Sequence, residues 1–294
     1  IIESIESILV NGELTKTTIV DTANKTLYHG EKEIKGCRNM SRKMSLEELA
    51  DHCGRAVSSL GALLADFSAS GIDKMAKRAM LISYWVGTYT KYLREEDSFS
   101  PQSVFRLKRG AIVRVEFGYR IGRELGGRHY AVVLDNNNSI NRNTVTVIPL
   151  GSKKADSKDD MHNVVLVDGV YSPVKKKLDA LIADAKRTAD EAREMSASIK
   201  AASPEKQSVL RAVQRQKIDT AQRLIVQATA WVDEISHLQA GSVAKVDQIT
   251  TISKMRISQP LQKSHPLYGV RLSSRDLEKI DARVVSLFFP QKNQ

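Results

Sequence analysis

Between Val104 and Arg128 the chain sets seven basic residues (Arg106, Lys108, Arg109, Arg114, Arg120, Arg123, Arg128) against two acids, Glu116 and Glu124. Gly118, Gly122, Gly126 and Gly127 are spread among them and give the backbone freedom to adapt. A cationic, glycine-rich loop between short strands suits the grip of a phosphodiester, because each arginine or lysine neutralises a phosphate and releases its counterions. Lys153 and Lys154, just past the apolar run ending at Leu150, extend the same track. Phe117, Tyr119 and Tyr130 are the aromatic rings beside the loop on which unpaired bases would stack. Nothing else in the sequence points to chemistry.

The composition agrees with such a partner. The 294 residues are 41% hydrophobic and 27% charged, which is globular, and the net charge is +11 with a pI near 9.5. That excess favours a polyanion, most simply a nucleic acid. Cys37 and Cys53 have no zinc or redox spacing, and no pair of histidines stands at metal-ligand spacing. No metal or cofactor is expected, and Cys53 with His52 is expected to pack in a core. The apolar stretch from Ala79 to Val86 is too short to span a bilayer. The first residues, Ile1-Ile2-Glu3-Ser4, lack the pattern of a signal peptide. A cytoplasmic protein without a membrane segment is the expectation.

The elements that must position the loop follow from periodicity. Residues 1–43 are poorly patterned, with a weak hairpin through Thr17–Val20 and Thr26–Tyr28. Ser45 and Glu48 have capping-box spacing. Behind them Leu46, Leu49, Cys53, Val57, Leu60, Leu64 and Phe67 predict one buried helical stripe. A second helix from Asp73 completes a helical hairpin over 44–97. From Val104 the period becomes two, with strands predicted at Val113–Phe117, Ala131–Leu134, Val145–Leu150, Asn163–Val167, Val243–Ile252 and Tyr268–Leu272. Asp168-Gly169 reads as a hairpin turn. The strands are interrupted by Leu178, Ile182, Ala185, Ala189, Ala192, Ser196 and Ile199, then by Ile218, Ala221, Ile225, Ala228, Val232 and Ile235. Steps of three and four predict an antiparallel coiled-coil hairpin, inserted at 174–240. Ser273 caps a closing helix.

Several of these segments, taken in order, resemble one family. They are Lys108-Arg109-Gly110-Ala111-Ile112-Val113, Phe117-Gly118, Ile121-Gly122-Arg123-Glu124-Leu125-Gly126-Gly127, Ala131-Val132-Val133-Leu134, Val147-Ile148-Pro149-Leu150 and Asp247-Gln248-Ile249-Thr250-Thr251-Ile252. Residues 104–170 and 241–290 are similar to the MazF/PemK toxin endoribonucleases of toxin–antitoxin modules. The resemblance implies an α+β fold: a small Src-homology-type β-barrel with a C-terminal helix, here interrupted by the coiled-coil hairpin and preceded by the helical hairpin. The barrel domain would run over 104–294. It also implies a homodimer that cuts single-stranded RNA without metal, a cognate antitoxin protein, and operator DNA bound together with that antitoxin.

Two positions depart from the family pattern. Where the family carries its main catalytic arginine, this chain has His129, with Arg128 one residue earlier; where it carries a catalytic threonine, this chain has Gly151, followed by Ser152. Imidazole titrates near neutrality and can take and give a proton. The catalytic candidates are therefore His129, with Arg128 as the fixed cation and Ser152 as a hydroxyl donor. Arg109, Arg120, Arg123, Lys153, Lys154, Tyr119 and Tyr130 are the RNA-binding candidates. A catalytically weak nucleic-acid-binding or regulatory module on the same fold is the alternative.

Overall fold

The computed structural model describes residues 44–236, 238 and 241–290, and the hairpin expected within residues 17–28 lies outside them. The chain divides into two compact units, 1–63 and 64–294. The expected 44–97 hairpin straddles that division.

Helix α1 spans Leu46–Ala69. The Ser45 hydroxyl accepts from the Glu48 N–H at 3.1 Å, and the Ser45 N–H donates to the Glu48 carboxylate at 2.9 Å, the reciprocal cap that the spacing predicts. The buried stripe does not follow. Leu46, Leu49, Cys53 and Val57 are exposed, and Leu64 and Phe67 are half-buried. Periodicity gives a helix an apolar face without supplying what covers it. Helix α2 spans Asp73–Glu95 and buries Ala79 and Ile82.

Seven antiparallel strands follow: β1 (Ile112–Glu116), β2 (Arg128–Val133), β3 (Thr144–Ser152), β4 (Asn163–Val165), β5 (Ser242–Lys245), β6 (Thr250–Ser253) and β7 (Ile257–Gln259). Their order is β4-β5-β3-β2-β1-β7, with β6 also on β3. Among the described residues the sheet is not closed. The nine-residue β3 is paired along one side by two strands in succession, Thr144–Val147 with β6 and Leu150–Ser152 with β5. The chain then passes from β6 through the turn Lys254–Arg256 into β7, which pairs with β1. Among the described residues a backbone turn, and no ladder, joins β6 to β7.

Strand alternation sorts the sheet's side chains into two cores. Val113, Val115, Phe117, Ala131, Val133, Val145, Val147, Ile252 and Ile257 pack together on one face. Ile112, Val132, Ile148, Leu150, Val164 and Ala244 face the helices on the other. The predicted strand at Tyr268–Leu272 is reduced to one bridge, Ala111 with Arg271. The stretch Val243–Ile252 is two strands, broken by the turn Val246–Gln248.

Asp168-Gly169 joins no hairpin; it leads into helix α3, Tyr171–Ala201. The cause is distant in sequence. Helix α5, Ser274–Phe288, presents the fully buried Asp276, whose carboxylate accepts from the N–H groups of Val167, Asp168 and Gly169 at 2.6, 3.1 and 3.1 Å.

Helix α4, Pro204–Ser236, returns along α3. Gln214 Nε2 donates to the Ala192 carbonyl at 2.7 Å and Lys217 pairs with Glu191 at 2.6 Å, so the two helices run antiparallel. Beyond the root, where Val174 and Trp231 are also buried, each buries a seven-residue series, Leu178, Ala185, Ala192 and Ile199 on α3, and Ala221, Ala228 and Ile235 on α4, while Ile182, Ile218, Ile225 and Val232 stay exposed. The seam is thus narrower than the sequence suggests. Its root is also not separate: Val174, Leu178, Ala228, Trp231 and Ile235 belong to the same core as Ile148 and Leu150.

Candidate active site

The loop between β1 and β2 is tied at its root by its own glycines. The Phe117 N–H donates to the Gly127 carbonyl at 2.8 Å, and the Gly127 N–H to the Gly118 carbonyl at 2.7 Å. Both glycines have left-handed backbone, φ 75° and 82°, where side chains are strained. At Gly118 there is a second demand: a Cβ would lie 2.5 Å from the Trp85 ring of α2.

Between α2 and this loop lies a cleft of about 640 Å³, lined by Tyr84, Trp85, Arg114, Glu116, Tyr119, Arg120 and Arg128 among others. The strand register sets Glu116 opposite Arg128, and their side chains pair at 3.6 Å. The Glu116 carboxylate also accepts from the Gly118 N–H at 3.1 Å. Arg256 donates through Nε to the Glu116 carbonyl at 2.9 Å and lies 5.4 Å from the Trp85 ring centroid. Burial, and then the charge of Arg120, lower the Arg256 pKa. Arg78 of α2 donates to the Tyr119 hydroxyl at 3.0 Å. Arginine side chains and two carboxylates, Glu116 and Glu124, thus converge on a concave, partly desolvated surface, which can hold a phosphate.

The strand alternation divides the three residues expected to be catalytic. Arg128 lines the cleft; His129, next along β2, shares the face of Ala131 and pairs across from Val115. The β2–β3 ladder ends at Tyr130 opposite Leu150, and Gly151 and Ser152 pair instead with Val243 and Ser242 of β5. His129 is half-buried. Burial lowers its pKa, while hydrogen bonding to the Gly126 and Leu150 main chain and the charge of Glu116 pull it back up. Its imidazole is therefore biased toward the neutral form.

Of the expected RNA-binding residues, Tyr119 and Arg120 join Arg128 in the cleft. Arg109 does not: its guanidinium pairs with Asp281 of α5 and donates to the Leu134 carbonyl. The Tyr130 hydroxyl donates to Glu234 of α4 at 2.6 Å, and burial followed by that carboxylate raises its pKa. Arg123, Lys153 and Lys154 are exposed away from the cleft lining. The sequence reading missed Glu116, Arg256, Tyr84 and Trp85. Glu116 had a signal, since antiparallel pairing of the flanking strands sets it against Arg128. The other three come from elements with no local mark of a shared site.

Residues 108–216 match the family model of the PemK-like, MazF-like toxins of type II toxin–antitoxin systems. That stretch, a little over a third of the chain, is similar to the PemK-like toxins. No curated protein matches the chain. The matched stretch holds the glycine-tied loop, Glu116, Arg128 and His129, and ends within α4. No helix among the described residues is long and apolar enough to cross a membrane, and none of their His, Cys, Asp and Glu side chains form a group that could hold a metal ion.

Proposed function

We propose that this chain is a toxin endoribonuclease that cuts single-stranded RNA, messenger RNA above all, through attack of the 2′-hydroxyl on the adjacent phosphate. The observation that supports it most is the family match over the very stretch that holds the arginine cleft and His129. His129 takes the 2′-hydroxyl proton; the 2′-oxygen–phosphorus bond forms as the bond to the 5′-oxygen breaks. The imidazolium returns its proton to that departing oxygen, leaving a cyclic phosphate and a 5′-hydroxyl end. A lowered His129 pKa favours this order, because a base must start neutral. Arg128, on the face of β2 opposite His129, and Arg120 grip the RNA through its phosphates in the adjoining cleft, Glu116 orients Arg128, and Ser152 donates to the RNA backbone. Arg109, Arg123, Lys153 and Lys154 guide the strand by charge alone.

The reading entails a catalytic domain over 104–294, its curled sheet a small Src-homology-type barrel, with a coiled-coil insertion near 174–240. It further entails a homodimer, a cognate antitoxin, operator DNA bound with that antitoxin, and work in the cytoplasm.

Incubating the purified protein with single-stranded RNA and analysing the ends tests it. Cyclic phosphate and 5′-hydroxyl ends are expected, with His129→Ala slower by at least about a hundredfold at unchanged fold, the scale of a lost general base. RNA that is bound but not cut by the wild type would instead favour a nucleic-acid-binding or regulatory module. What favours that second reading is that His129 and Arg128 occupy opposite faces of β2, and that Gly151 brings no hydroxyl.

A further inference from the structure

Helix α2 lies outside the stretch that matches the toxin family, yet it forms one wall of the cleft. We propose that α2 is a substrate-binding wall: Tyr84, next to Trp85, is the surface on which an unpaired RNA base stacks beside the phosphates that the cleft arginines grip. This rests on the ribonuclease reading and adds the element that recognises a base.

The need for such a surface comes from the domain itself. Three aromatic residues flank the basic loop, and two are committed elsewhere. Phe117 is 1% exposed within the core between the strands. Tyr130 is held by Glu234 through its hydroxyl, with Arg114 over its ring. Only Tyr119 reaches the cleft, and its hydroxyl is fixed by Arg78 from α2. Recognition of single-stranded RNA depends on stacking splayed bases on aromatic rings, so the loop alone is poorly equipped.

Helix α2 supplies what is missing. Trp85 is anchored on three sides: against the Gly118 backbone, under the Arg256 guanidinium, and stacked on Tyr89 with 5.6 Å between ring centroids. The next residue, Tyr84, also lines the cleft but is 71% exposed. A large ring open to water, on a helix whose neighbouring Trp85 is seated against the loop, offers a flat apolar ligand a surface to stack on. Arg114, Arg120 and Arg128 line the same cleft and set the charge of that ligand's tether. A ring beside a row of arginines is the arrangement that binds a nucleotide strand, its base on the ring and its phosphates on the cations.

The test uses the full chain and short fluorescent RNA oligonucleotides, with binding read by anisotropy and cleavage by gel. Tyr84→Ala is expected to weaken RNA binding and raise KM by about tenfold, with kcat at saturating RNA nearly unchanged. Tyr84→Phe restores both. Against an RNA with an abasic site beside the cleaved position, wild type and Tyr84→Ala should bind equally. Tyr84 is exposed, so the thermal transition should not move, and a Trp85→Ala variant should show a loss of the same sign. Unchanged binding in Tyr84→Ala, a loss that persists on the abasic RNA, or faster cleavage in either variant would overturn the proposal; the last would make α2 a cover over the cleft. Binding is read apart from cleavage, so a wild type that binds without cutting defeats the ribonuclease reading and leaves this one standing.

Discussion

Gly118→Ala probes the joint between α2 and the loop. Two costs fall on the same methyl group. The backbone at φ 75° is left-handed, which costs an L-residue roughly 1–2 kcal/mol. The Cβ would also stand 2.5 Å from the Trp85 ring, and overpacking of this kind typically costs about 1–3 kcal/mol. Trp85 cannot yield easily, being stacked on Tyr89 and lying under Arg256. A loss of roughly 2–5 kcal/mol is expected in urea unfolding followed by tryptophan fluorescence and circular dichroism. A double-mutant cycle separates the two costs. Trp85→Ala removes the ring, so in that background Gly118→Ala should cost only the backbone share, and the coupling should come to about 1–3 kcal/mol. RNA binding should fall in Gly118→Ala, because the loop and α2 no longer seat together. Strict additivity, within about 0.5 kcal/mol, would refute the steric reasoning.

Cleavage should rise with pH through a midpoint below the ordinary histidine value of 6.5, because a lowered pKa keeps the His129 imidazole neutral at more acid pH; a midpoint above 7 in the kcat/KM profile would contradict it. Chelators should leave the rate unchanged, since the proposed route moves protons between His129 and the RNA; loss of cleavage in EDTA, restored by a divalent ion, would sink that route. Replacing 174–240 by a short flexible linker should unfold the domain, whereas shortening only the far end of the hairpin, beyond Ala185 and before Ala221, should leave it folded; Trp231→Ala should cost about 3–5 kcal/mol by thermal or urea unfolding. Asp276→Ala should destabilise by several kcal/mol, because three N–H donors lose a charged acceptor; a change below about 1 kcal/mol would show that water replaces it.

The sequence by itself determined most of the elements. Alternating apolar residues at Val113, Val115 and Phe117 commit that stretch to a half-buried strand whatever surrounds it. Arginines interleaved with glycines give the following loop its positive charge and its backbone freedom, because both are local properties. The cap at Ser45 and the seven-residue step from Leu178 to Ile199 were legible for the same reason. What lies across from a face was not legible. The α1 stripe has the period of a buried helix, and Leu46 and Val57 are nonetheless exposed. Asp168-Gly169 has the composition of a hairpin turn, yet Asp276, more than a hundred residues later, takes its three N–H groups and sends the chain into a helix. The site divides along the same line. Adjacent residues on a strand point to opposite faces, so Arg128 enters the cleft while His129 does not, and only the pairing with β1 shows Glu116 as the partner of Arg128. Tyr84, Trp85 and Arg256 join them from elements distant in sequence, brought there by packing that no local pattern encodes.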